Sequence, residues 1–208
     1  WEVFDYGDLL NFLKKDIDTD YASDEKTFIR HYILFLEEYL EEYKNLEKNC
    51  SRLFKKGLTK EDKFWSRLLN SKIALEFKNK IEGDFKYVIN PGNTSTPLLN
   101  IIPKKWKEII GQEVLIQFQG NSLKFYLHHA NKNSAEKLIK FSKSQIQCKN
   151  IKFKKITKRK ENSCYILETK LTDNLNDDFT LKDIYRFLVT FYENIDNKII
   201  KNYTHSPN

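Results

Sequence analysis

The feature that most constrains the fold is a change of hydrophobic period at Gly83. Before this residue, apolar side chains recur every three or four positions, as they do along one face of an α-helix. After it, short runs such as "FKYVI" and "EVLIQFQG" approach a period of two, which is typical of β-strands. The sequence therefore predicts an α+β fold in which helices come first and a sheet follows.

The pattern predicts three N-terminal helices, then six strands interrupted and closed by helices. The helices lie near 5–17, 23–48, 63–81, 133–144 and 180–203, and the strands near 85–89, 96–102, 113–120, 123–130, 151–156 and 163–171. Short turns favour a mainly antiparallel sheet with helices on one face. The expected N-caps, all with a side-chain oxygen, are Ser23 or Asp24, Thr59, Ser134 and Thr180.

Charge divides the chain into an acidic helical arm, residues 1–50, and a basic α+β domain, residues 51–208. The arm holds 6 Lys/Arg and 13 Asp/Glu, a net charge of −7, whereas residues 51–170 hold 26 and 10, a net charge of +16. A clustered positive field attracts polyanions, so nucleic acid is the partner that this block predicts. The alternative is that such a surface only reflects a lysine-rich proteome.

The composition also bears on cellular location. No continuous apolar run reaches the length of about 18 residues that a membrane span needs, and no signal peptide is recognisable. Three cysteines without a CxxC pair favour a reducing, cytoplasmic compartment and argue against a zinc site. The chain starts at Trp1 and contains no Met, so we expect it to be a piece of a longer protein.

The stretch "IKFKKITKRK" predicts a basic β-ribbon. In a strand, alternate residues share a face, so Lys152 and Lys154 lie together opposite Ile151 and Phe153. Such a ribbon can follow a phosphate backbone, and the alternative is an edge strand whose lysines prevent aggregation. The residues predicted to contact nucleic acid here are Lys152, Lys154, Lys155, Lys158, Arg159 and Lys160.

The stretch "IIPKKWK" adds a second candidate contact. It places Trp106 beside Lys104 and Lys105, and an aromatic ring among cations can stack on nucleic-acid bases. The alternative is that Trp106 anchors the core, which is the commoner role of tryptophan. Either way, we predict a short helical turn here.

The stretch "CYILETK" ends a predicted strand with Glu168 and Lys170 on one face. A Glu-x-Lys strand belongs to the PD-(D/E)xK nuclease site, where two carboxylates hold a divalent cation and the lysine assists the attacking water. The second carboxylate is missing, so catalysis by this pair is a weak candidate against a surface charge pair. The upstream acids lie in a predicted helix or turn, or lack a Pro-Asp context: Glu108, Glu113, Glu136 and Glu161.

The order of segments resembles the C-terminal region of certain bacterial PD-(D/E)xK-superfamily, restriction-endonuclease-like proteins. The resemblance lies in "FDYGDLLNFL", the aromatic "FIRHYILFLEEYL", the later "FW…LL", the Trp of "IIPKKWK" and the closing strands and helix. It implies a non-catalytic accessory region whose nuclease core, and any Mg²⁺, lies outside this chain. It also implies that Glu168 and Lys170 are not the family's catalytic pair.

The helix near residues 24–48 supports another hypothesis from a different class. Its wide apolar face is rich in aromatic residues, and its opposite face carries acids. The arm is then a protein-interaction or homo-oligomerisation module. A self-contained nuclease that uses Glu168 and Lys170 is a third hypothesis.

Overall fold

The chain forms two compact units, Trp1–Asn49 and Cys50–Asn208. A computed structural model describes residues 6–17, 22–54, 58–91, 96–128, 132–146, 151–155 and 163–203. The architecture is α+β, with the N-terminal helices preceding a sheet, as the change of period predicts. Among the described residues, none of the helices combines the length and the apolar character that crossing a membrane requires.

The first unit is a helical hairpin of α1 (Tyr6–Asp16) and α2 (Ser23–Lys48). Of the wide apolar face predicted for α2, Ile33 and Leu36 are buried, whereas Phe28 and Phe35 are exposed. The N-cap is Ala22, one residue before the predicted Ser23 or Asp24. Alanine has no side-chain acceptor, but the Glu25 carboxylate accepts a hydrogen bond from the Ala22 N–H at 3.1 Å.

The second unit begins with a 3₁₀ turn at residues 51–54, followed by α3 (Lys60–Lys80). The N-cap of α3 is Thr59, as predicted, and its hydroxyl accepts a hydrogen bond from the Asp62 N–H. The helix ends before Gly83, whose φ is +145°. A Cβ at that position would lie 2.7 Å from the Phe85 ring, so the start of the sheet requires glycine there.

The sheet is antiparallel, with five strands of five to eight residues and a sixth of two residues. Its spatial order is β1-β2-β3-β4-β6-β5. Of the strand expected at 151–156, residues 151–155 are described, and only Lys154 and Lys155 among them form the strand. The strands are β1 (Phe85–Ile89), β2 (Leu98–Pro103), β3 (Val114–Gln119), β4 (Ser122–His128), β5 (Lys154–Lys155) and β6 (Ser163–Lys170).

Three further helices complete the second unit: α4 (Lys104–Ile110), α5 (Lys132–Gln145) and α6 (Leu181–Lys198). A π-helical turn, Ile199–Tyr203, continues α6. Thr180 caps α6, as predicted. Ser134 does not cap α5, because that helix begins two residues earlier, at Lys132.

Helices pack against one face of the sheet, which we call the first face. Strand register places Phe85, Phe118 and Phe125 on this face. Each ring meets an aromatic ring from a helix or the 3₁₀ turn at 5.4–5.6 Å between centroids. The opposite, second face is mixed, because it carries a small apolar cluster around Ile102 and Leu115 beside rows of polar residues.

Asp183→Asn should destabilise the protein in a pH-dependent manner. The Asp183 carboxylate accepts hydrogen bonds from the Thr180 N–H and hydroxyl at 2.9 and 2.7 Å, and these bonds lower the pKa of Asp183 from its usual 3.8. The stabilisation is therefore complete above the unfolded pKa of about 3.9 and disappears as pH falls through the lower folded pKa. A loss of up to about 1 kcal/mol is expected at neutral pH.

Urea unfolding at neutral pH and at about pH 3 measures this difference. Asp177→Asn, an exposed aspartate outside the helix, is the matched control. If the Asp183 variant is less stable than wild type by the same free energy of unfolding at both pH values, the proposed dependence on the ionised carboxylate is contradicted.

Candidate nucleic-acid interface

Trp106 is a core residue and is not available for base stacking. Its side chain is fully buried, stacked on Tyr192 at 5.6 Å and edge-on to Phe125 at 5.5 Å. The indole Nε1–H donates to Asp196 Oδ1 at 2.7 Å, which supplies the partner that a buried indole needs. The prediction that Trp106 binds nucleic acid is corrected, because a ring without exposed surface cannot stack on a base.

The two neighbouring lysines also have partners within the second unit. Lys105 Nζ donates to Asp196 Oδ2 at 2.8 Å and lies 5.7 Å from the centre of the Tyr192 ring. Burial opposes its charge, but hydrogen bonds to Asp196 and Tyr192 outweigh this cost and raise the pKa of Lys105. Lys104 forms an exposed ion pair with Asp84 at 2.7 Å. Lys105 therefore binds the carboxylate that also holds Trp106 in the core, whereas Lys104 lies at the surface in an ion pair.

Strand β5 begins only at Lys154 because side chains, and not the backbone of β6, bind the backbone of Lys152. The Lys152 N–H donates to Asn174 Oδ1 at 2.6 Å, and its carbonyl accepts from Thr169 Oγ1 at 2.6 Å. The side chains still alternate, since Ile151 is buried and Lys152 is exposed. Asn174 thus holds the segment at the sheet edge with its lysines outward.

Part of the predicted ribbon lies outside the described residues. This concerns the side chain of Lys155 and the whole of Lys158, Arg159 and Lys160. Lys152 and Lys154 are both exposed. They lie at the β5 edge, whereas Lys104 and Lys105 belong to α4, which contacts β2 and β3. Among the residues that the structure describes, Lys152 and Lys154 therefore do not lie together with Lys104 and Lys105.

Register instead surrounds Glu168 with lysines from three strands. Glu168 of β6 lies directly opposite Lys124 of β4 and Lys154 of β5. Directly opposed residues share a face, and Lys170 lies two residues further along β6 on the same face. Lys154 and Lys170 are exposed, and Lys124 is half-buried. We call Lys124, Lys154 and Lys170 the lysine cluster, which lies on the second face.

This arrangement does not fit a Mg²⁺ site at Glu168. A hard divalent cation needs several oxygen ligands, whereas the cross-strand neighbours of Glu168 are ammonium groups. Across the part of the chain that the structure describes, no three His, Cys, Asp or Glu side chains are grouped as metal ligands. Glu168 is thus placed to pair with the lysines of neighbouring strands.

A cavity of about 540 Å³ adjoins the lysine cluster at Lys170. Its lining includes the polar residues Lys63, Gln119 and Ser122 and the apolar Phe54. Ser122 lies opposite Lys170 in the register, so the cavity opens where the lysine cluster ends. Small-ligand sites commonly have volumes between about 300 and 1,000 Å³.

The comparisons with known proteins give no relative from which a role could be transferred. No family model, no curated protein and no solved structure matches this chain. The resemblance to nuclease C-terminal regions stays a prediction. Inference about function therefore rests on the geometry of the site.

Sequence reasoning missed Lys124 as a member of the basic surface. The β3–β4 hairpin, with its turn at Gly120 and Asn121, places Lys124 opposite Gln117. Its approach to Glu168 depends on a strand pairing between residues 44 positions apart, for which no local signal exists. Lys170 was considered as a catalytic residue or as part of a surface charge pair with Glu168, and not as a phosphate contact.

Asp196→Ala should lower the free energy of unfolding by about 1–3 kcal/mol, because it leaves the buried Trp106 N–H without an acceptor. Asp196→Asn should cost less, since an amide oxygen can still accept that bond. Urea unfolding followed by circular dichroism measures both. Wild-type stability of the alanine variant would contradict the assignment of Trp106 as a hydrogen-bonded core anchor.

Proposed function

We propose that the second unit binds the phosphate backbone of nucleic acid through the lysine cluster. The observation that carries this proposal is the register, which gathers Lys124, Lys154 and Lys170 from three strands on one face. The net charge of +16 over residues 51–170 gives the field that would draw a polyanion to this surface.

The chemistry of the cluster favours contacts to phosphate over the reading of bases. Lysine is a compact charge on a flexible stem and lacks the planar fork with which arginine recognises guanine. Phosphate contacts fix position and orientation but carry no sequence information. We therefore expect salt-dependent binding with little sequence preference.

In this proposal, the chain is an accessory region of a PD-(D/E)xK nuclease-like protein. The order of segments in the sequence supports this assignment, as does the poor fit of Glu168 to a metal site. Substrate positioning belongs to the lysine cluster. Bond cleavage and any Mg²⁺ belong to a separate nuclease core.

A second candidate function is association with another protein through α2. The supporting observation is the exposure of large apolar side chains on this helix: Phe28 is 70% exposed, Leu34 60% and Phe35 57%. Apolar groups that remain in water along one helix are typical of interaction surfaces. Light scattering on the purified chain tests the homo-oligomeric form of this hypothesis against a monomer of 24.9 kDa.

Replacing all three lysines of the cluster by Gln should weaken binding and flatten its salt dependence. Each lost phosphate contact reduces the slope of log K against log salt by about 0.9 for duplex DNA and about 0.7 for single strands. The triple variant should therefore lose about two to three units of slope. Fluorescence anisotropy with labelled single-stranded and duplex oligonucleotides over a salt series gives both quantities.

A second triple variant, with Lys78, Lys182 and Lys201 changed to Gln, removes the same charge from exposed positions on α3, α6 and the π-helical turn. It should retain most of the slope. An equal loss of slope in both variants would show that binding depends on the net charge of the protein and not on the lysine cluster. Absence of binding by the wild-type chain at low salt would refute the proposal.

Glu168→Gln should strengthen binding, because it removes a carboxylate from among the lysines that face phosphate. Since one exposed charge interaction contributes up to about 1 kcal/mol, the expected gain is about twofold to fivefold. Glu82→Gln, at an exposed position before β1, makes the same charge change and should have little effect.

The same Glu168→Gln variant also tests the third hypothesis, a self-contained nuclease. If the wild-type chain cleaves DNA with Mg²⁺ and Glu168→Gln abolishes cleavage, that hypothesis is supported instead.

A further inference from the structure

Helix α2 carries a continuous row of aromatic rings. Phe28, Tyr32, Phe35 and Tyr39 follow one another at spacings of four, three and four residues. Successive ring centroids lie 6.4, 6.2 and 6.2 Å apart, with interplanar angles of 10°, 12° and 28°. The four rings thus form an ordered row, which we call the aromatic ladder.

The ladder is separate from the face of α2 that is buried. Ile33 is 9% exposed and Leu36 1%, whereas Phe28 and Phe35 in the ladder are 70% and 57% exposed. At 100° per residue, the ladder occupies a stripe about 60° wide beside the buried face. Tyr39, the last ring of the ladder, meets the Tyr6 ring of α1 at 5.5 Å, so the apolar stripe that α2 presents to solvent is centred on Phe28 and Phe35.

The spacing of the ladder is suited to a second helix. Alternating steps of four and three residues are the a and d positions of a heptad, whose side chains interlock with those of a facing helix. From Phe28 to Tyr39 the stripe rises about 16 Å, or three helical turns. An amphipathic helix of about four turns would cover it.

The charges beside the ladder indicate the chemistry of the facing helix. On the side away from Ile33 and Leu36, the ladder is bordered by Asp24, His31, Glu38 and Glu42, and no Lys or Arg lies along this border. Asp24 and Glu38 are exposed. The border is thus acidic from the first turn of α2 to its last third.

A second copy of the chain is a poor occupant of this stripe. In an antiparallel pair of α2 helices, the two acidic borders would face each other, and like charges across a helix interface are unfavourable. In a parallel pair, each acidic border would face the opposite, apolar border of the partner, which carries Ile29 and Leu36 and offers no cation. Lysine or arginine beside an apolar stripe would instead meet the acids, and these cations also interact favourably with aromatic faces.

We propose that the aromatic ladder docks an amphipathic helix of a partner protein whose apolar stripe is flanked by Lys or Arg. This inference deepens the second candidate function and is independent of nucleic-acid binding by the lysine cluster. It assigns the apolar contacts to the rings of Phe28 and Phe35 and the selectivity to Asp24 and Glu38.

Three labelled synthetic helical peptides test the proposal against the full chain by fluorescence anisotropy. The first has a leucine stripe flanked by Lys and Arg, the second has the same stripe flanked by Glu, and the third is a scrambled version of the first. The first should bind about tenfold or more tightly than the other two.

The double variant Phe28→Ser, Phe35→Ser should weaken binding of the basic peptide about tenfold or more. Both rings are exposed, so circular dichroism and the thermal midpoint should stay close to wild type. Leu75→Ser is the matched control, because Leu75 is 56% exposed on α3. It should leave peptide binding unchanged.

Two outcomes would overturn the proposal. Binding of the basic and scrambled peptides with equal affinity, or unaffected by the double variant, would show that the ladder is not the docking surface. A dimeric mass in light scattering that the double variant returns to monomer would assign the ladder to a second copy. Oligonucleotide binding by the same double variant reports separately on the lysine cluster, so failure of one proposal is distinguishable from failure of the other.

Discussion

The hydrogen bond from Trp106 to Asp196 connects the two halves of the second unit. Trp106 belongs to α4, which lies in the chain between β2 and β3, and Asp196 lies near the end of α6. The same contact brings the Trp106 ring onto Tyr192, which also meets Phe77 and Phe85 at 5.4 and 5.6 Å. Because these rings come from α3, α4, α6 and β1, the bond aligns three helices on the first face.

The second face carries rows of polar side chains beside its apolar cluster around Ile102 and Leu115. The central cross-strand row of this face runs from Asn100 through Gln117, Lys124 and Glu168 to Lys154. The Gln117 amide donates to Asn100 Oδ1 at 3.3 Å, so the row begins with paired amides and ends with charges. The polarity of the sheet thus changes across its width, with cations gathered toward the β5 edge.

Local patterns in the sequence predicted much of the fold. The site, in contrast, depends on contacts between residues that are far apart in the chain, which local patterns do not reveal. The period change at Gly83 and the caps at Thr59 and Thr180 are encoded within a few residues, and each was predicted correctly. The position of β5 depends on the Asn174 side chain, which binds the Lys152 backbone 22 residues away. The sequence left open whether Trp106 stacks on bases or anchors the core, because its acceptor, Asp196, is 90 positions distant. The pairing of β4 with β6 also could not be predicted from local sequence patterns, and this pairing brings Lys124 to Glu168 and Lys170 in the lysine cluster.

Nuclear magnetic resonance gives the most direct test of the central claim that one sheet face contacts phosphate. Backbone amide shifts would be recorded while an unlabelled oligonucleotide is added at low salt. The account predicts the largest changes in β4, β5 and β6, around Lys124, Lys154 and Lys170, with small changes in α3 and α6. Changes concentrated in α3 and α6, or the absence of any change, would contradict it.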